Sequence, residues 1–159
     1  MSIYKRCAST DRNIMRIAER VAYVFDPNKT RPELCHTLGV ARKTAYDDMV
    51  FIKQLYGKTD GRQYLHWILS YDSGVPETVA DQVGLEALRL LSGQFQAIMA
   101  THTNTANFHN HFLINTVNLA SGNKFSESIS DMLVFRDKIN AILESYGLKP
   151  VGQVETISE

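Results

Sequence analysis

Three of the chain's five histidines fall within ten residues, in the segment Thr101-His102-Thr103-Asn104-Thr105-Ala106-Asn107-Phe108-His109-Asn110-His111. Neutral imidazoles are strong ligands for divalent metals, and three of them leave coordination positions open for water or a substrate oxygen. The spacing H-x6-H-x-H suits such a site. Side chains alternate along a strand, so His109 and His111 point to the same face, roughly 7 Å apart. Six intervening residues are enough for a hairpin that returns the chain and sets His102 beside them. By ligand chemistry alone, three histidines suit Zn, Ni, Cu or Mn better than Mg. A cation held there could polarise a phosphoryl oxygen or activate water, and the spacing does not choose between the two. His36 and His66 lie outside the cluster, and His66, beside Trp67 on a strand, reads as a packed residue.

The elements that must position this cluster are legible as alternating periodicities. Met1–Lys5 reads as a short first strand. Thr10 is placed to cap a helix over about 11–24, with Ile14, Ile17, Ala18, Val21 and Val24 at helical spacing. Asp26-Pro27-Asn28-Lys29-Thr30 is a turn, and residues 31–41, which contain Pro32 and Gly39, read as irregular with one helical turn. A helix over 42–56 packs through Ala45, Met49, Ile52 and Tyr56 and closes at Gly57. A strand follows within 61–70, then a loop through Ser73-Gly74-Val75-Pro76. The next helix, about 77–94, buries Val79, Val83, Ala87, Leu90 and Leu91. Strands over about 96–102 and 108–118 carry the histidines, and Gly122 marks a further turn. The last helix, about 128–146, packs Ile129, Leu133, Ile139, Leu143 and Tyr146. There is no glycine-rich phosphate loop, so the expected class is α+β: one antiparallel sheet of about five strands with helices packed mainly on one face. Residues 1–150 form one domain, and 151–159 read as a frayed tail.

Composition sets the outer limits. A chain of 159 residues with 44% hydrophobic and 21% charged residues is an ordinary globular domain. No apolar run approaches the ~20 residues of a membrane span, and the N-terminus lacks the apolar core of a signal peptide. The two cysteines, Cys7 and Cys35, have no metal spacing and read as reduced thiols in a cytosolic protein, with a structural disulfide the less favoured reading. Net charge is zero, yet residues 1–63 hold 12 Lys/Arg against 7 Asp/Glu, out of 17 of each in the whole chain. The basic excess therefore lies wholly in the first part, as a phosphate-facing surface would need.

Three blocks taken together resemble the relaxases of the mobilisation-protein group within the HUH endonucleases. The segment THTNTANFHNHFLINTVNLASGNKF resembles the family's metal motif, H-[ST]-[DN]-x2-[NH]-[ILF]-H-x-H. Val21 to Thr30 resembles its tyrosine motif, in which a tyrosine is followed, after two intervening residues, by a [DN]-P-x-K-T turn. Tyr56 to Tyr64, with His66 and Ser70-Tyr71, resembles the block leading into its second motif. The blocks keep the family's order over roughly residues 15–148. The resemblance implies an N-terminal catalytic domain that nicks one DNA strand at a transfer origin. Tyr23 would attack a phosphodiester, leaving a 5′-phosphotyrosine link and a free 3′-OH, with His102, His109 and His111 holding Mg2+ or Mn2+ against the scissile phosphate. Ser70 would lie against the DNA backbone, and Asn104 stands where the family often has aspartate, so it could orient a histidine but not act as a base. The Ser73-Gly74-Val75 stretch departs from the family's proline, glycine and glutamate, and no role passes to Glu77. The implied partners are single-stranded transfer-origin DNA, relaxosome accessory proteins and a type IV secretion coupling protein, with no membrane insertion.

Other readings share some of these features. A rolling-circle replication initiator has similar chemistry, but its histidines commonly precede its tyrosine, the reverse of the order here. A non-catalytic single-strand DNA-binding module could keep the metal as a structural element. An unrelated metallohydrolase would use the three histidines to activate water and form no covalent adduct.

Overall fold

The computed structural model describes residues 3–7, 12–125, 129–152 and 154–157. A single six-stranded sheet forms its centre, made of β1 (Ile3–Cys7), β2 (Cys35–Leu38), β3 (Tyr64–Ser70), β4 (Ala97–His102), β5 (His109–Asn115) and β6 (Val154–Ile157), in the order β2-β4-β5-β3-β1-β6. Every pairing is antiparallel except β1 with β6 at one edge, which is parallel. The β4–β5 hairpin lies at the centre of the sheet, where both strands are flanked by others. Its register sets His102 directly opposite His109 and Ala100 opposite His111.

Four helices cover this sheet: α1 (Arg16–Val24), α2 (Ala45–Leu55), α3 (Glu77–Arg89) and α4 (Ile129–Ser145). The α+β class and the antiparallel centre are as expected, whereas the placement of the helices is not. Helices α1 and α2 bury Ile17, Val24, Ala45 and Met49 against Tyr64, Ile98, Ala100 and Leu113 on one face. Helices α3 and α4 bury Val83, Ala87, Ile139 and Leu143 against Leu65, Trp67, Met99, Phe112 and Ile114 on the other. The sheet is therefore covered on both faces, not mainly on one. All of β4, and β5 from Asn110 onward, is accordingly buried, and a strand buried on both sides shows little polar alternation from which to read a single covered face.

Two strands are additional to the expected set. Cys35–Leu38 pairs with β4, although its proline and glycine neighbours suggested irregular chain. Val154–Ile157, expected to fray, pairs with β1 along its free edge. Strand pairing of such short segments is decided by the neighbouring edge and not by local propensity. Helix α1 begins at Arg16, later than expected, after a turn in which the Asn13 side-chain oxygen accepts the Met15 N–H at 3.0 Å; Thr10, the expected cap, lies outside the described residues, as does the side chain of Ile129. Leu133 and Tyr146 are 42% and 38% exposed, so α4 packs through Ile139 and Leu143 without them.

On the α3 side a buried polar chain pins the histidine hairpin from behind. Thr101 and Asn110 are cross-strand partners, both with no exposed surface. The Thr101 hydroxyl donates to Asp81 Oδ1 at 2.8 Å and accepts from Asn110 Nδ2 at 2.9 Å. Asn110 Oδ1 accepts from the Tyr71 hydroxyl at 2.5 Å, and Asn110 Nδ2 also donates to the Ala80 carbonyl at 3.1 Å. His36 Nε2 donates to both Asp81 oxygens, at 3.0 and 2.9 Å. Helix α3 can approach this closely because residue 84 is glycine: a Cβ there would lie 2.6 Å from the Asn110 amide.

Candidate active site

Side chains at even positions of β3 and β4 and odd positions of β5 point to the α1 side of the sheet. His66, Ser70, His102, His109 and His111 all lie on this face as a consequence of the register. Ser70 is the cross-strand partner of His109 on one side, as His102 is on the other.

Helix α1 crosses above β4 and β5 and ends over the histidines. Its last turn leaves carbonyls without helical partners, and one of them, Val24 O, accepts a hydrogen bond from His102 Nε2 at 2.9 Å. A carbonyl can only accept, so His102 carries its proton on Nε2 and its lone pair on Nδ1. The turn that follows is held by its own side chain: Asp26 Oδ1 accepts the Asn28 N–H at 2.9 Å, and Asp26 O accepts from Lys29 N at 2.9 Å and Thr30 N at 3.1 Å. The turn is then docked on the end of β4, where Lys29 O accepts from Thr103 N at 2.8 Å and the Thr30 hydroxyl donates to Thr101 O at 2.7 Å. These bonds fix Tyr23, one residue before Val24, over the sheet.

The Tyr23 ring lies edge-on to three imidazoles, with centroids 5.4 Å from His111, 5.5 Å from His102 and 6.1 Å from His66. Lys29 Nζ sits 5.6 Å from the Tyr23 ring centroid. His102 and His111 stack at 4.1 Å, and His109 is 6.1 Å from His111. A cleft of about 250 Å3 opens here, lined by Tyr23, Lys29, Ile68, Ser70, His102, Asn104, Thr105, His109 and His111. All six residues to which the sequence motifs point therefore meet in one cleft. Tyr23 is 36% exposed, so its ring is open to solvent, whereas His102 and His111 are buried.

Burial is also the main reason both histidines resist protonation. It holds His102 below the usual imidazole range, with Lys29, His109 and His66 acting the same way and the Val24 bond opposing. Burial together with His102, His66, His109 and Lys29 holds His111 far below it. Both are thus neutral at physiological pH, the form in which imidazole binds metal. Residue type, register and protonation state fit a divalent cation. The rings rest stacked, 29° from coplanar, and among the described residues no three side chains already form a coordination set.

Two site residues carry little signal in the sequence. Lys29 reads there as part of the Asp-Pro turn of the tyrosine block, with no separate role, and the structure sets it over the Tyr23 ring. His66 stands in the third block but reads there as a packed residue, and its strand parity places it on the histidine face.

The profile of the relaxase family described as MobA/VirD2-like, nuclease domain, matches residues 23–148. This chain belongs to that family. Two proteins from Staphylococcus aureus named rlx are each 32% identical to it over 97 residues. Those residues make up 60% of this chain but only 30% and 31% of the two relatives, so the relaxase chain described here spans under a third of the relatives it matches. A solved structure described as "Molecular Basis of Vancomycin Resistance Transfer in Staphylococcus aureus" superposes with a TM-score of 0.60 and 12% identity, covering 100% of both chains. That likeness is one of fold. Among the described residues no helix is long and apolar enough to cross a membrane.

Proposed function

We propose that this relaxase domain nicks one DNA strand at a transfer origin by tyrosine transesterification, as the first step of conjugative mobilisation. The observation that carries the reading is the convergence of Tyr23 with His102, His109 and His111 in one cleft. Tyr23 Oη attacks the scissile phosphorus and loses its proton. The Oη–P bond forms as the P–O3′ bond breaks, and the departing 3′ oxygen takes up a proton to leave a free 3′-OH. One phosphodiester replaces another, so the link keeps the bond energy needed for rejoining.

His102, His109 and His111 would hold the divalent cation, Mg2+ or Mn2+, and in that position it would neutralise charge developing on the phosphoryl oxygens. Lys29, over the Tyr23 ring, adds a fixed positive charge beside the phenol. A phenol with an ordinary pKa near 10 needs such neighbours to become a nucleophile near neutrality. Ser70 and Asn104, at the rim of the cleft, are suited to contacting the DNA backbone. Arg20, on α1, donates from Nε to the Tyr64 hydroxyl, and Arg42 lies over the Phe25 ring at the end of the same helix. The basic excess of the first part of the chain thus reaches this face, as phosphate binding requires. In the cell the domain would act in the cytoplasm with relaxosome accessory proteins and a type IV secretion coupling protein.

The test is an SDS-resistant protein–DNA adduct, using single-stranded oligonucleotides tiled across the mobilisation region of the element that carries the gene, with Mn2+ present. The expected result is an adduct with the parent that disappears on chelation and in Tyr23→Phe. An adduct that survives Tyr23→Phe overturns the choice of nucleophile. Cleaved DNA without any adduct would instead indicate hydrolysis by activated water, and strand binding with neither would indicate a non-catalytic binding module.

A further inference from the structure

Beyond the three histidines of the cleft, the structure buries a fourth against them. His66 projects from β3 to the same face, is 3% exposed, and does not line the cleft. Its Nε2 lies 3.0 Å from Nδ1 of His111, with ring centroids 5.2 Å apart. This contact engages His66 Nε2 with His111.

A hydrogen bond between two neutral imidazoles has two forms. If His66 donates, His111 accepts at Nδ1 and must carry its own proton on Nε2, which then has no lone pair for a cation. If His111 donates from Nδ1, its Nε2 keeps a lone pair on the far side of the ring from His66, and His111 is a residue that lines the cleft. Only the second form leaves His111 competent to bind metal. We propose that His66 is a positioning residue that accepts the Nδ1 proton of His111 and so fixes the tautomer and orientation in which His111 Nε2 faces the cleft. This role rests on the reading of His111 as a metal ligand. It gives His66 the part that a carboxylate or backbone carbonyl usually plays behind a ligating histidine. It also parallels His102, whose Nε2 is held by Val24 O so that Nδ1 carries the lone pair. Two cleft histidines would then be set by two different partners, one on α1 and one on β3.

Two measurements test this. Long-range 1H–15N NMR of the metal-free protein reads the ring tautomers directly, with His111 assigned by its absence from His111→Ala. The expected result is the Nδ1–H form of His111, and an Nε2–H form in the parent overturns the proposed role. Mn2+ affinity, followed by EPR, is compared among the parent, His66→Leu, His66→Gln and His111→Ala. Leucine removes the acceptor and should weaken Mn2+ binding about 10- to 100-fold, whereas glutamine offers a carbonyl oxygen and should restore affinity to within a few-fold. Parent-like affinity in His66→Leu, with affinity lost in His111→Ala, overturns the role of His66 and leaves the metal reading standing. Equal affinity in the parent and His111→Ala removes the metal reading instead, and the tautomer spectrum then decides the role of His66 alone. Should His66→Leu fail to fold, the tautomer spectrum and His66→Gln still decide between the two forms.

Discussion

Replacing Thr101 with valine should destabilise the domain by far more than its size suggests. The two side chains have nearly the same shape, so packing is conserved and only the hydroxyl is lost. In the parent that hydroxyl donates to Asp81 Oδ1 at 2.8 Å and accepts from Asn110 Nδ2 at 2.9 Å, with no exposed surface at either Thr101 or Asn110. A hydrogen bond to a charged group contributes about 1.5–3 kcal/mol, and weakening a second bond in a dry site adds on the order of 1 kcal/mol. Asn110 Nδ2 keeps the Ala80 carbonyl and Asp81 keeps His36, which limits the total to about 3 kcal/mol. For a domain of this size that corresponds to a fall in Tm of about 6–12 °C. The control is Thr101→Ser, which keeps the hydroxyl and loses one methyl group, at a cost of about 1 kcal/mol. Urea unfolding of the three proteins, with equal m values as the check on two-state behaviour, gives the comparison. If the valine variant is as stable as the serine variant, the chain from Asp81 to Asn110 does not hold the hairpin in place.

Gly84→Ala should also destabilise, because its Cβ would meet the Asn110 amide at 2.6 Å; overpacking of about 1–3 kcal/mol exceeds the ~1 kcal/mol gained in helix propensity. A calorimetric Tm at or above the parent's would refute the close approach. Lys53 has no exposed surface, and its Nζ donates to Gln63 O at 2.7 Å and Thr116 Oγ1 at 3.2 Å. Burial, aided by Lys124, brings its pKa down to about 7. The unfolded chain, with an ordinary lysine near 10.4, then binds more protons between about pH 7 and 10. Stability should therefore rise with pH across that window, by at most ~1.4 kcal/mol per unit, and level off below it. Subtracting the urea stability of Lys53→Met at each pH isolates this slope, and a difference that stays flat from pH 7 to 10 would sink the assignment.

The histidine cluster was readable in the sequence because its geometry is local. Two residues of a strand at i and i+2 share a face whatever the rest of the fold does, and a six-residue return makes His102 a neighbour of His109. The α1 helix, the Asp26-Pro27 turn and the central hairpin were legible for the same reason: each is specified by periodicity or by a turn residue acting within a few positions. The resemblance of the three blocks likewise selected Tyr23, Ser70 and Asn104 without any knowledge of distance.

What the sequence left open depends on partners far apart in the chain. No local signal says that His66 will sit 3.0 Å from His111, since that contact needs β3 beside β5 in one particular register. The split of helices between two faces follows from burying both sides of β4 and β5, and a run of apolar residues looks alike whether one side is covered or two. The pairing of Cys35–Leu38 and Val154–Ile157 with strand edges is likewise a tertiary decision, made by available backbone groups and not by side chains. The residues that could do the chemistry were thus set by the order of amino acids. Their burial and the distance from Tyr23 to the histidines were set only when the strands paired and α1 packed over them.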